Sequence, residues 1–128
     1  MIYVAGISSD DFAARFGSGA SVGDNISFIC DDAQQGLQSA KSGDVLAVGL
    51  LWEQEAVVTA LKIGRRKGMI TVFKSTPAAT LIKSEIYENS EIIVVDQEET
   101  RIITGVEPDC EVNLALAVKK FKDLGATN

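Results

Sequence analysis

The sequence predicts an α/β fold with a mostly parallel sheet and helices on both faces. Short apolar runs alternate along the chain with segments that have a helical pattern of apolar residues. Such alternation builds right-handed βαβ units. In addition, residues 92–95 form an unbroken apolar run, which is typical of a strand covered on both faces. With no internal repeat, residues 1–128 are expected to form a single domain.

The first third of the chain contains two strand candidates and two helix candidates. Its Gly/Ser-rich stretch, residues 17–25, is predicted to be a loop. Gly43 breaks the helical pattern that precedes it. The expected strands are residues 3–6 and 26–30, and the expected helices are residues 10–16 and 31–41.

The middle of the chain has the most regular pattern. Residues 45–51 are a near-continuous apolar strand, and residues 53–67 are predicted to be an amphipathic helix. Three basic residues, 65–67, complement the dipole at the end of this helix. Residues 70–73 are the next strand, and a short helical turn is expected over 77–83. The apolar stripe of the long helix consists of Val57, Ala60, Leu61 and Gly64.

The last third begins with the strand over residues 92–95. Asp96 follows it and is predicted to cap a helix, with Glu99 in the reciprocal position of a capping box. At the carboxyl end of a parallel strand, such a turn lies where open α/β sheets bind ligands. The final helix is expected over residues 111–124 and is stopped by Gly125.

Composition limits the functions that are open to the chain. The net charge of −6 argues against a nucleic-acid partner, and no stretch is long and apolar enough to span a membrane. The absence of histidine excludes His-based catalytic triads and most zinc sites. Residues 1–6 do not resemble a signal peptide, so a cytoplasmic location is expected. Cys30 and Cys110 are expected to be buried and inert, and Trp52 to be a packing or interface residue.

Three ordered segments resemble the ribokinase-like (PfkB-type) carbohydrate kinases. Residues 42–78 resemble that family's succession of strand, crossover helix and strand, with residues 74–78 (KSTPA) in the place of an Asn-Pro-Ala-Pro-Ala type turn. Residues 96–105 (DQEETRIITG) resemble its Asn-x-x-Glu signature and the helix that follows it. Residues 3–13 (YVAGISSDDFA) are similar to an earlier family motif. The resemblance implies a partial ribokinase-like fold and a nucleotide site for ATP or ADP with Mg²⁺.

The chain also departs from the family pattern. The amino-terminal sugar-binding glycine motifs have no counterpart, and the Gly-Ala-Gly-Asp motif that supplies the catalytic Asp is missing from residues 1–128. No residue is therefore assigned as the catalytic base. Asp96 and Lys74 each stand where the family has an Asn, whereas Glu99 matches the family's Glu.

Four residues are candidates for a binding site, and each has a simpler alternative role. Lys74 and Ser75, at the carboxyl end of a central strand, are candidates to contact phosphate or nucleotide. The resemblance implies that Asp96 and Glu99 belong to the same phosphate or nucleotide site and hold Mg²⁺ through water. Lys74 is otherwise a solvated lysine at a strand end, and Ser75 a cap of the following turn. Asp96 and Glu99 otherwise only satisfy the first amide groups of their helix.

Two hypotheses of function follow from the sequence. The chain is either a carbohydrate-kinase polypeptide that transfers phosphate from ATP to a sugar hydroxyl in the family, or a non-catalytic ribokinase-like module for binding or oligomerisation. An unrelated flavodoxin-like module is a third, weaker alternative. The isolated 128 residues are expected to be inactive and to form a homo-oligomer through a sheet edge or the last helix.

Overall fold

The computed structural model describes residues 1–7, 26–29, 32–75 and 81–127. Strands and helices alternate along most of these residues. In chain order the elements are β1 (Ile2–Ala5), β2 (Ile26–Ile29), α1 (Ala33–Gly36), β3 (Val45–Gly49), α2 (Gln54–Arg66), β4 (Ile70–Lys74), α3 (Ser84–Glu88), β5 (Ile92–Val94), α4 (Gln97–Thr104) and α5 (Glu111–Asp123).

The strands form one sheet in the order β2-β1-β3-β4-β5, and every described pair is parallel. The predicted α/β class with a parallel sheet is therefore confirmed. The chain passes from β1 outward to β2 on one side, and from β3 outward to β4 and β5 on the other. The order consequently has a switch point between β1 and β3, the place where ligands bind in many open α/β sheets.

One face of the sheet carries the hydrophobic core. Side chains alternate between the two faces of a strand, and the parallel register aligns those that share a face. The helices α1, α2 and α3 cover this face and contribute Ala33, Leu61 and Ile86 to the same cluster. The buried strand residues in the cluster are Tyr3, Ala5, Ile29, Leu46, Val48 and Phe73.

The opposite face of the sheet is less covered within the described residues. Val4 is buried there, but Ile70, Ile92 and Val94 are 37%, 43% and 39% exposed. The sequence predicted that the last strand is covered on both faces, and this prediction is wrong because Ile92 and Val94 leave one face of β5 partly exposed. The helix predicted over residues 10–16 and the loop over 17–25 lie outside the described residues.

A chain of aromatic contacts attaches α5 to the core. Phe73 of β4 contacts Tyr87 of α3 edge to face, with ring centroids 6.4 Å apart and an interplanar angle of 88°. Tyr87 in turn contacts Phe121 of α5 at 6.2 Å. Burial raises the pKa of Tyr87 to about 12. These contacts place α5 beside α3 near the β5 edge.

The two 13-residue helices, α2 and α5, agree with their predicted bounds, whereas the short helices α1 and α3 do not agree with the prediction. The bounds of α2 and α5 each differ from prediction by one residue at most at either end. The helix expected over residues 31–41 is only the four-residue α1. The turn expected over 77–83 is not helical where it is described, and the sequence missed α3, which begins at Ser84.

Two single residues test the packing predictions. Trp52 packs against the core cluster, as predicted. Cys110 is an exposed free thiol at the start of α5, so the prediction that it is buried is wrong, and Cys30 lies outside the described residues. No helix in the described part of the chain is both long and apolar enough to cross a membrane.

Candidate functional site

The carboxyl ends of β4 and β5 bring the sequence-predicted site residues together. The parallel register pairs Lys74, the last residue of β4, with Val94, the last residue of β5. The amide of Ser75 then donates to the carbonyl of Val94 at 3.1 Å, which extends the contact past the ends of the strands. The chain turns at Asp96 into α4, so the start of this helix lies beside Lys74.

Lys74 and Glu99 form a buried ion pair at this edge. The ammonium Nζ of Lys74 donates to both carboxylate oxygens of Glu99, at 2.7 Å to Oε1 and 3.0 Å to Oε2. The side chain of Glu99 is 0% exposed and that of Lys74 only 13%. Charges buried to this extent are stable only when they are paired and hydrogen-bonded. The pair therefore holds the end of β4 against the start of α4.

The capping box predicted from the sequence is present. The amide of Glu99 donates to Oδ1 of Asp96 at 2.7 Å, and the amide of Asp96 donates to Oε2 of Glu99 at 3.0 Å. The carbonyl of Asp96 also accepts the hydroxyl of Thr100 at 2.7 Å. Glu99 thus caps the helix and neutralises Lys74 with the same carboxylate.

The hydrogen-bonding capacity of Lys74 is fully used. An ammonium group has three donors, and here two directions are taken by Glu99 and the third by the carbonyl of Ser75 at 2.6 Å. The side chain is therefore not the solvated strand-end lysine that the sequence left as an alternative. A phosphate that approached this edge would have to compete with Glu99 for the ammonium.

Among the buried side-chain polar atoms of the described residues, the hydroxyl of Ser75 alone lacks a hydrogen-bond partner. The residue is 1% exposed, and its hydroxyl has no hydrogen-bond partner among the described residues. A buried polar group without a partner is costly and calls for an explanation. The next positions, 76–80, lie outside the described residues.

The two carboxylates of the site have different surroundings. Asp96 is exposed and uses Oδ1 for the capping bond, whereas Glu99 is enclosed and bonded through both oxygens. Nowhere in the described residues do three or more carboxylate, thiol or imidazole groups cluster closely enough to bind a metal ion. The carboxylate accessible to a hydrated Mg²⁺ would be that of Asp96, because Glu99 is enclosed and bonded through both oxygens.

The ends of β1 and β3, on either side of the switch point, lie in close contact. Gly6 has a φ of +66°, and a Cβ atom at this residue would lie 2.1 Å from the carbonyl oxygen of Gly49. The amide of Leu51 donates to the carbonyl of Gly6 at 2.9 Å, which ties the two strand ends together. The polar site residues lie two strands further along, at the ends of β4 and β5. The sequence showed both glycines but nothing that indicated their contact.

A groove that the sequence did not indicate lies between β5 and α5. It has a volume of about 520 Å³ and begins directly beside Asp96 and Thr100. Its walls are mainly apolar, with Lys122 and Thr127 on the rim. The apolar walls are formed chiefly by Ile93, Val95, Leu114, Ala117, Val118 and Phe121.

The fold and site together define an all-parallel α/β protein with a buried lysine–glutamate pair at the strand ends. No family model and no curated protein matches the chain. The crystal structure of Sa239 is similar, with a TM-score of 0.63 over 97% of this chain and a sequence identity of 16%. The chain spans about half of that structure, 51% of its length. At this identity the similarity shows the fold alone.

Proposed function

We propose that this chain is a ribokinase-like (PfkB-type) carbohydrate-kinase polypeptide whose residues 1–128 do not catalyse phosphoryl transfer alone. The observation that carries the proposal is the Lys74–Glu99 pair, which joins the ends of β4 and β5. Its two members come from the two segments with the strongest family resemblance. Their meeting at the carboxyl edge of a parallel sheet is the arrangement expected of a phosphate-handling edge.

The same geometry explains why the isolated chain is proposed to be inactive. Phosphoryl transfer needs a group that accepts the proton of the substrate hydroxyl and a set of charges that meets the phosphate. Glu99 is enclosed and already bonded to Lys74, so it is not available as a base. The Gly-Ala-Gly-Asp motif that would supply one is absent from residues 1–128.

The first prediction concerns catalysis. Residues 1–128 are expected to show no ATP-dependent phosphorylation of ribose or fructose above background, because they lack a base and a free phosphate-binding cation. The measurement is ADP release in the presence of Mg²⁺, with a Glu99→Gln preparation of equal purity as the background control. Turnover by the native chain that the Glu99→Gln preparation loses would contradict the proposal of inactivity.

The second prediction concerns ligand binding at the same edge. If the family's nucleotide site persists in this chain, millimolar Mg²⁺ with ADP should raise the melting temperature, because a ligand that binds only the folded state stabilises it. The doubly substituted Lys74→Ala/Glu99→Gln chain should lose this rise. Titration calorimetry at a temperature well below melting then checks that the loss reflects binding and not stability.

The matched control for this experiment is the exposed ion pair between Lys62 and Glu85, which are 2.8 Å apart. Lys62→Ala/Glu85→Gln removes the same charges from the surface and should keep the ligand-induced rise. An unchanged melting temperature of the native chain with Mg²⁺ and ADP would leave Glu99 with a structural role only.

A non-catalytic ribokinase-like module is the second candidate function. The internal neutralisation of Lys74 favours it, since three protein oxygens already occupy the ammonium. In this case the ion pair serves to fix α4 to the sheet, and the chain acts through its surfaces. Absence of both turnover and ligand-induced stabilisation is the result expected for such a module.

A further inference from the structure

The strand β5 has an outer edge that no described strand pairs with. Its neighbour on the other side is β4, and the amide of Glu91 donates to the carbonyl of Thr71 there at 3.0 Å. Backbone groups of successive strand residues point to opposite sides, so both groups of Ile92 point outward. Proteins usually protect such an edge with charged side chains or proline. The three residues of β5 are all apolar, so this edge is suited to pairing with another strand.

The helix α5 lies over the space beside this edge. In the helical layer α2 packs against β3 and β4, α3 packs beside α2, and α5 packs beside α3 through the contact of Tyr87 with Phe121. The groove of about 520 Å³ separates β5 from α5. An extended chain at the usual strand spacing of about 4.8 Å from β5 would lie in this groove. Its alternate side chains would meet apolar groups of α5, namely Leu114, Ala117, Val118 and Phe121.

The two ends of the groove carry opposite charges. Asp96 lines it at the carboxyl end of β5 and uses only Oδ1 in the described hydrogen bonds. Lys122 lines it near the amino end of β5, since Thr127, shortly after it, donates to the carbonyl of Ser90 just before the strand. Lys122 is exposed and forms no ion pair with any residue in the described ranges. Both charges are therefore open to an occupant of the groove.

We propose that this groove binds an extended apolar peptide segment of a partner protein, which adds to the five-stranded sheet as a further strand beside β5. Strand addition to an open sheet edge is a general mode of peptide recognition, in which backbone bonds give affinity and pockets for alternate side chains give specificity. The segment carries an acidic residue at the end near Lys122 and a basic residue at the end near Asp96. The interaction does not depend on the Lys74–Glu99 pair or on the proposed kinase ancestry.

The charges around β5 disfavour a second copy of the chain as the occupant. Glu91 and Asp96 flank the strand, so both of its ends are acidic. A two-fold axis would pair two β5 strands antiparallel and bring Glu91 of one copy close to Asp96 of the other. Like charges opposite one another destabilise a sheet. A small apolar molecule fits no better, because it would cover the outward backbone groups of Ile92 without bonding to them.

The test is titration of the isotope-labelled 128-residue chain with the blocked peptide Glu-Val-Thr-Val-Thr-Val-Lys, followed by NMR. Because its acidic residue comes first, this peptide would run parallel to β5, like every described strand pair. The amide signal of Ile92 should shift, and its hydrogen exchange should slow. N-methylation of one alternate set of peptide residues should abolish binding and that of the other set should not, since only alternate amides face β5.

Variants of the chain test the charge and the walls of the groove separately. Lys122→Glu should weaken binding several-fold, and a peptide that begins with lysine instead of glutamate should restore it. Lys120→Glu makes the same charge change about 160° away around α5 and should leave binding unchanged. Leu114→Ser should weaken binding several-fold, whereas Leu116→Ser, similarly exposed but outside the groove, should not. Circular dichroism checks that each variant is folded.

Four results would overturn the proposal. The first is no binding at millimolar peptide. The second is an equal effect of the two N-methylated sets, which would indicate apolar contact without strand pairing. The third is an equal effect of Lys122→Glu and Lys120→Glu. The fourth is protection of the Ile92 amide without peptide that disappears on dilution, which would identify a second copy as the occupant.

Discussion

Lys74→Met is expected to lower the free energy of unfolding by about 3–5 kcal/mol, because it leaves the carboxylate of Glu99 buried without a counter-charge. The side chain of Glu99 is 0% exposed, so water cannot replace the ammonium. Methionine has a similar length and is apolar, and the substitution therefore tests the charge more than the packing. Urea unfolding followed by the fluorescence of Trp52 and by circular dichroism measures the loss.

Two further variants separate the ion pair from other causes. Lys62→Met breaks the exposed pair with Glu85 and is expected to cost less than about 1 kcal/mol, since surface ion pairs contribute little. The double variant Lys74→Met/Glu99→Leu removes both buried charges and should recover most of the loss. A remaining deficit of about 1 kcal/mol is expected from the broken capping box. If Lys74→Met costs no more than Lys62→Met, the pair is not buried as described.

Local features of this fold were predictable because their causes lie within a few residues of each other. The capping box needs only Asp96 and Glu99 at their spacing, and the structure forms both of its hydrogen bonds. The bounds of α2 follow from its apolar stripe and from the acidic and basic residues at its ends. Such signals do not depend on how the strands are ordered.

Features that depend on strand order were not predictable from the sequence. The apolar run Ile92–Val94 has the composition of a central strand, but the topology places it at the edge and exposes two of its residues. The helix α3 has only five residues, too few for a periodic pattern to stand out. It is held by the burial of Ile86 and Tyr87 against strands that are distant in the sequence.

The candidate site was predictable only in part. The sequence placed Lys74 at one strand end and Glu99 after another, so their common location at one edge could be expected. Their mutual neutralisation could not, because it depends on the register that pairs Lys74 with Val94. That pairing changes the chemistry of both groups, since a lysine bonded to a carboxylate is a weaker phosphate ligand than a free one. The groove between β5 and α5 was visible in the sequence only as apolar surface of α5 beyond one stripe.

The contact between the ends of β1 and β3 makes the fold sensitive to substitution of Gly6. Gly6→Ala is expected to lower the free energy of unfolding by about 3 kcal/mol or more, from two causes. The φ of +66° is unfavourable for alanine, and the new Cβ would lie 2.1 Å from the carbonyl oxygen of Gly49. A backbone carbonyl cannot rotate away as a side chain can, so the strand ends must separate. The bond from the amide of Leu51 to Gly6 would then be lost.

Gly105→Ala is the matched control for this substitution, because it places alanine at a positive φ without a close contact of the new Cβ. Gly105 ends α4 with a φ of +74°, and a Cβ atom there would meet nothing within 4 Å. Its replacement should cost only the backbone strain, about 1–2 kcal/mol. The difference between the two variants in urea unfolding therefore measures the close contact of the two strand ends. Equal losses would mean that the ends of β1 and β3 do not approach each other as closely as described.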